Sequence, residues 1–126
     1  LKGWQHVPPN HIKLPDLMEG FEAFAVRADI SDMQRALLVQ LEFVTIHPFF
    51  DGNGRLGRLL TNHALLSSGW PWITVPADER LPFFRSIEEA QVSDRTDRFI
   101  SFLWRHIRQA DADVAKAARG RRRGKP

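Results

Sequence analysis

The chain of 126 residues contains no cysteine and no tyrosine. The first absence excludes disulfides and any thiolate metal site, and it permits a reducing compartment. Long apolar runs are also missing. Nothing approaches the roughly 20 residues that a bilayer-crossing helix needs, so no membrane association is expected. The opening Leu1-Lys2-Gly3-Trp4 does not have the pattern of a signal peptide. A cytoplasmic location is expected, with a secreted effector left open. The first residue is not Met, which suggests a piece of a longer polypeptide. Strand-like alternation is scarce, and no Lys-Ser/Thr pair follows the one glycine-rich turn, so neither a P-loop nor a dinucleotide-binding βαβ unit fits.

What is present is ordinary for one globular domain with one core: 43% hydrophobic and 26% charged residues. The net charge is +3, but Arg119, Arg121, Arg122, Arg123 and Lys125 at the end of the chain supply five positive charges, leaving the rest at about −2. This basic run reads as a solvated, disordered tail, and a nucleic-acid partner is not expected.

Taken in order, residues 1–13 have little helical periodicity and carry Pro8-Pro9, which permits a short strand or hairpin at Trp4, His6 and Val7. From Pro15, Leu17, Met18, Phe21, Phe24 and Ala25 recur at helical spacing, and this helix should reach about Arg27. Ser31 or Asp29 can cap the next helix, whose stripe of Met33, Leu37, Leu38, Leu41 and Val44 marks it as central. Pro48 disfavours helical geometry at His47 and should stop it there. A second central helix follows the glycine turn, with Leu56, Leu59, Leu60, Ala64 and Leu66, and closes at Ser67-Ser68-Gly69. His63 among these apolar positions reads as a packed core histidine. Trp70 to Pro76 is a proline-punctuated extended connector. Asp78 can cap a helix carrying Leu81, Phe84, Ile87 and Ala90, and Asp94 or Thr96 can open the last one, with Phe99, Ile100, Phe102, Leu103, Trp104 and Ile107 inward.

The chemistry is concentrated in His47-Pro48-Phe49-Phe50-Asp51-Gly52-Asn53-Gly54-Arg55-Leu56-Gly57-Arg58. Glycines that lead into a helix expose backbone N–H groups to an anion. Arg55 and Arg58, three residues apart, share a helix face at the end where the macrodipole disfavours cations. Two arginines in that place call for an anion. Asp51 offers a hard oxygen for Mg²⁺ with phosphate oxygens completing its shell. His47 can accept a hydroxyl proton near neutral pH. Together they read as a nucleotide-handling site.

This stretch resembles the signature of the Fic family, H-P-F-x-(D/E)-G-N-G-R-x-x-R, and matches every fixed position. Gly3 to Pro9 is similar to the family's flap hairpin. Trp70 to Leu103, with Val75-Pro76, Arg80, Phe83-Phe84 and Glu88-Glu89-Ala90, is similar to the segment after the motif, so the likeness covers residues 1 to 107. It implies an all-α, mainly helical fold: a Fic-type core over 1–110, with a short β-hairpin flap at 1–9 and the motif at 47–58. A helix end and basic disordered tail would occupy 111–126.

The resemblance also implies transfer of AMP from ATP to a Ser, Thr or Tyr hydroxyl of a protein docked at the flap, with release of diphosphate. His47 would be the base, and Asp51 would hold Mg²⁺ on the phosphates. Gly52, Asn53 and Gly54 would line the anion hole, with Arg55 and Arg58 on the departing phosphates and Phe49 packing beneath the loop. Doc relatives, which transfer the γ-phosphate as kinases, carry Lys where this chain has Gly54, so that alternative is disfavoured. Transfer of another nucleotide, or an inactive or nucleic-acid-binding module, are the remaining alternatives. The family's regulatory pattern (S/T)-x-x-x-E-(G/N) has no match, which places any regulatory segment or antitoxin-like inhibitor outside this chain. With no tyrosine present, self-modification would fall on Ser or Thr.

Overall fold

The structure, a computed structural model, describes residues 6–123. Among them are five α-helices, two 3₁₀ turns and no strand, so the all-α expectation holds. The hairpin expected at 1–9 lies partly outside the described residues, and His6 to Asn10 have no regular secondary structure. No described helix is long and apolar enough to cross a membrane.

After the 3₁₀ turn His11–Lys13, helix α1 spans Leu14–Ala25, with Pro15 in its first turn. Its Phe21 ring meets Phe43 edge-on at 5.6 Å, which docks α1 on the next helix. Helix α2, Asp32–Ile46, opens with a capping box. Gln34 N–H donates to Ser31 Oγ at 3.1 Å, and Ser31 N–H donates to Gln34 Oε1 at 2.8 Å, so two otherwise orphaned groups are paired. Asp29, the other candidate cap, instead pairs with Arg27, whose guanidinium holds the Asp29 carboxyl down to about 2.

Helix α3, Asn53–Ser67, runs antiparallel to α2, as the pairing of Gly57 with Val44 and of Thr61 with Gln40 shows. Val39, Gln40 and Leu41 are buried in succession, so α2 is enclosed on most sides. The approach of the two helices depends on Gly57: a Cβ there would stand 3.0 Å from Val44 Cγ1 and 3.1 Å from Gln40 Cγ.

An extended connector leaves α3 through Gly69 (φ +84°) and reaches the 3₁₀ turn Ala77–Glu79. Helix α4, Arg80–Ser93, and helix α5, Asp97–Arg123, close the core. Phe83 stacks on Phe99 at 6.1 Å and lies 5.1 Å from Phe102, beside buried Ile87, Leu103 and Ile107. Full burial of each such side chain contributes on the order of 1.5–3 kcal/mol. Arg105 donates to Glu79 at 2.6 Å and holds that carboxyl below its ordinary range, which ties the start of α4 to α5.

Several expectations are corrected. His63 is exposed, because the buried face of α3 runs through Asn53, Gly57, Thr61, Asn62 and Leu65. Asp78 sits within the 3₁₀ turn; Glu79 takes the cap position of α4, without a side-chain bond. Leu81 is outward and Phe83 inward, and the helix begins one residue later than a cap at Asp78 implies. Asp94 ends α4 in a left-handed conformation (φ 55°), and the Thr96 carbonyl accepts from Ile100 N–H at the start of α5. Trp104 stays partly outward, edge-on to Trp70 at 5.9 Å. The helix end expected within 111–126 reaches Arg123, so most of the basic run that was expected to be a disordered tail continues α5.

Candidate active site

The loop between α2 and α3 carries the motif. His47 ends α2 in the left-handed region (φ 56°, ψ 59°), and its N–H still donates to Phe43 O at 3.1 Å. That conformation is uncommon for a residue with a Cβ and turns the imidazole out of the helix. Gly52 (φ +82°) makes the opposite turn, from loop into α3, where a side chain would be strained. Its N–H donates to Asp51 Oδ1 at 2.8 Å.

Asn53 holds the loop shut. Its Oδ1 accepts from Phe49 N–H at 3.0 Å and its Nδ2 donates to Phe49 O at 2.7 Å, while the side chain is 4% exposed. Both ends of the amide are therefore engaged by Phe49, and the backbone of Asn53 at the start of α3 is the part placed to face an anion. Phe49 rests 6.4 Å from the Phe43 ring yet is 55% exposed, so its packing beneath the loop is partial. Asn53→Ala leaves two backbone groups of Phe49 without partners. At about 1 kcal/mol per hydrogen bond lost, we expect a melting temperature lower by several degrees, checked by calorimetry.

His47, Asn53, Gly54 and Arg58 converge on one cavity of about 310 Å³. Its apolar wall is Val44, Phe84 and Ile87, and its mouth is bounded by His6 and Pro8. His6 Nε2 lies 3.1 Å from Thr45 O, which anchors that arm. Gln91 donates through Nε2 to Thr45 Oγ1 at 3.2 Å, leaving its buried Oε1 unpaired among the described residues. Asp51 and Arg55 stand outside the cavity wall, paired at 3.5 Å and largely exposed.

Arg58 is half-buried. Burial, then the neighbouring Arg80 and Arg55, push its guanidinium below the ordinary arginine value. No described carboxylate forms an ion pair with Arg58 or Arg80. Three guanidiniums with one acidic partner form a site that an anion would stabilise. Arg80, Gln91 and the wall residues lie far from the motif in sequence. No spacing rule could have assigned them, although Arg80 and Phe84 fall in the stretch similar to the post-motif segment.

The motif loop, cavity and arginines together define a helical domain with one cationic cavity at the end of its two central helices. The model of the Fic/DOC family matches residues 2–65, so the chain belongs to that family. It is 36% identical over 92 residues to protein adenylyltransferase Fic of Drosophila erecta, and 37% to that of Drosophila ananassae, covering 71% of this chain in each case. The chain spans only about a fifth of those relatives, 19% and 18% respectively. Among solved structures it is similar to a Fic domain containing signaling protein from Bacteroides thetaiotaomicron, with a TM-score of 0.84, 23% identity and 91% and 49% of the two chains covered. It is also similar to Fic-1 from C. elegans, with a TM-score of 0.77, 23% identity and 94% and 35% covered. These two share the fold.

Proposed function

We propose that this chain is the catalytic core of a protein adenylyltransferase that moves AMP from ATP to a protein hydroxyl. The observation that carries the reading is that His47 and Arg58 line one cavity with Gly54 and the backbone of Asn53. Membership of the Fic/DOC family and the relatives named protein adenylyltransferase support the same reading.

The target hydroxyl oxygen attacks the α-phosphorus, and the bond from that phosphorus to the bridging oxygen of the departing diphosphate breaks. His47 takes the hydroxyl proton. Asn53 and Gly54 receive the α-phosphate through backbone N–H groups at the turn that Gly52 makes, and Arg55 and Arg58 meet charge on the diphosphate. Catalysis of this type is mainly positioning and charge stabilisation.

Asp51 would hold Mg²⁺, which when bound neutralises charge on the phosphates. The donor set fits: one exposed carboxylate, with no cluster of three or more His, Cys, Asp or Glu among the described residues. Mg²⁺ binds through one or two carboxylates and completes its shell with phosphate oxygens and water.

For the base, Phe84 and Ile87 offer an apolar face, and Gln91 Oε1 offers an unpaired acceptor for an exocyclic amino group. That favours adenine over guanine, whose carbonyl oxygen would meet another acceptor. The protein substrate would dock at the arm that carries His6 and Pro8, and any inhibitory segment would come from outside residues 6–123.

Gly54 argues against γ-phosphate transfer. Relatives of the Doc type carry Lys at this position, and this chain leaves it without a side chain beside Arg58. The test uses ATP labelled at either the α- or the γ-phosphate with a mixture of candidate protein substrates. Label from the α position on protein is expected. Label from the γ position alone would overturn the reading.

A further inference from the structure

The cavity that holds His47 and Gly54 does not end at Arg58. Arg58 also walls a second cleft of about 310 Å³, lined by Arg55, Leu59, Trp72, Thr74, Val75 and Arg80. A small gap of about 40 Å³ bounded by Arg58, Arg80, Phe83 and Phe84 lies between them, and Phe84 belongs to the first cavity as well. The three spaces therefore form one path around Arg58. Its far end carries three guanidiniums, Arg55 and Arg58 from the motif and Arg80 from outside it.

Arg80 is the first residue of α4, where the helix dipole also disfavours a cation. It is exposed and forms no ion pair among the described residues. The residue just before it, Glu79, is occupied by Arg105 at 2.6 Å and does not offset it. Arg55 has Asp51, but at 3.5 Å and in solvent. A structural reason for Arg80 is thus absent: it neither packs in the core nor bridges elements. An anion extending along the path past Arg58 would meet it, and a guanidinium suits phosphate oxygens through paired N–H donors.

We propose that Arg80 is a nucleotide-binding residue that contacts the terminal phosphate of the nucleoside triphosphate and so selects triphosphate over diphosphate. The proposal rests on the adenylyltransferase reading. It adds a residue from α4, outside the motif, and assigns the cleft beyond Arg58 to the end of the phosphate chain. Arg58 then serves as the shared wall between the part of the nucleotide that is transferred and the part that departs.

The test measures ATP and ADP binding by titration calorimetry with Mg²⁺ on the intact protein and on Arg80→Met and Arg80→Lys variants. Arg80→Met keeps an unbranched side chain of similar length without the charge, and a melting curve verifies that it is folded. ATP is expected to bind Arg80→Met about tenfold more weakly, a loss of about 1.4 kcal/mol. ADP should be unchanged within about twofold, and Arg80→Lys should recover part of the loss. Equal weakening of both nucleotides, or no weakening of ATP, would overturn the assignment. If the unsubstituted protein bound neither nucleotide, the adenylyltransferase reading would fail on its own, separately from the role of Arg80.

Discussion

Replacing His47 with Ala is expected to abolish detectable AMP transfer while leaving ATP binding nearly intact. The imidazole lines the cavity beside Gly54, and no other described His, Asp or Glu does so except His6 at the mouth. A positioned base contributes roughly 10²–10⁴-fold. The fall should therefore appear in kcat, with the dissociation constant for ATP within a few-fold of the original. Ala also meets the left-handed conformation that His47 adopts, which costs on the order of 1–2 kcal/mol. His47→Asn relieves that cost, because asparagine tolerates the region, and it should be equally inactive. Transfer at the original rate by both variants would remove His47 from the mechanism.

The second large effect is structural. Gly57→Leu should unfold the α2–α3 pairing or force it apart. A Cβ alone would meet Val44 and Gln40 at 3.0 and 3.1 Å, and both belong to a central helix with little freedom to shift. Overpacking of this kind costs typically 1–3 kcal/mol and sometimes more. With three further carbons to place, about 3 kcal/mol is expected, lowering the melting temperature by roughly 10 °C. Any folded fraction should also lose activity, because α2 carries His47 and α3 carries Arg58. A melting curve unchanged within two degrees would show that the helices can separate without cost.

The sequence made α2 and α3 readable because their boundaries are set locally. Ser31 with Gln34 writes a capping box, Pro48 stops the helix, and Gly52 supplies a left-handed turn. The motif was legible for the same reason, since all its residues lie on one loop and the first turns of one helix. What was not legible depends on pairing across the chain. His63 looked apolar-facing only because the burial of Asn53, Gly57, Thr61 and Asn62 depends on contact with α2 and the connector, and polar residues are poor signals of a core. The paired hydrogen bonds of the Asn53 amide to Phe49 were not legible because they are a property of the folded loop. Arg80 and Gln91 join the site only when α4 packs beside α2. The basic run was read from composition as solvated and loose, but α5 simply propagates through Ala115 to Ala118, residues with high helix propensity.

Asn62 repeats what Asn53 does. Its Oδ1 accepts from Ile73 N–H at 2.9 Å and its Nδ2 donates to Ile73 O at 3.0 Å. Both flanks of the site thus hang from one helix by amide-to-main-chain bonds, the motif loop from the start of α3 and the connector from its middle. Such bonds recognise peptide groups and ignore side-chain identity. Phe50, which projects fully outward from the motif loop, is consequently free to be exchanged without moving His47 or Arg58, while Trp72 on the connector walls the cleft beside Arg80. The scaffold separates what must stay fixed for the chemistry from what can diverge for choosing a target, and a library at Phe50 is where new target preferences would be selected.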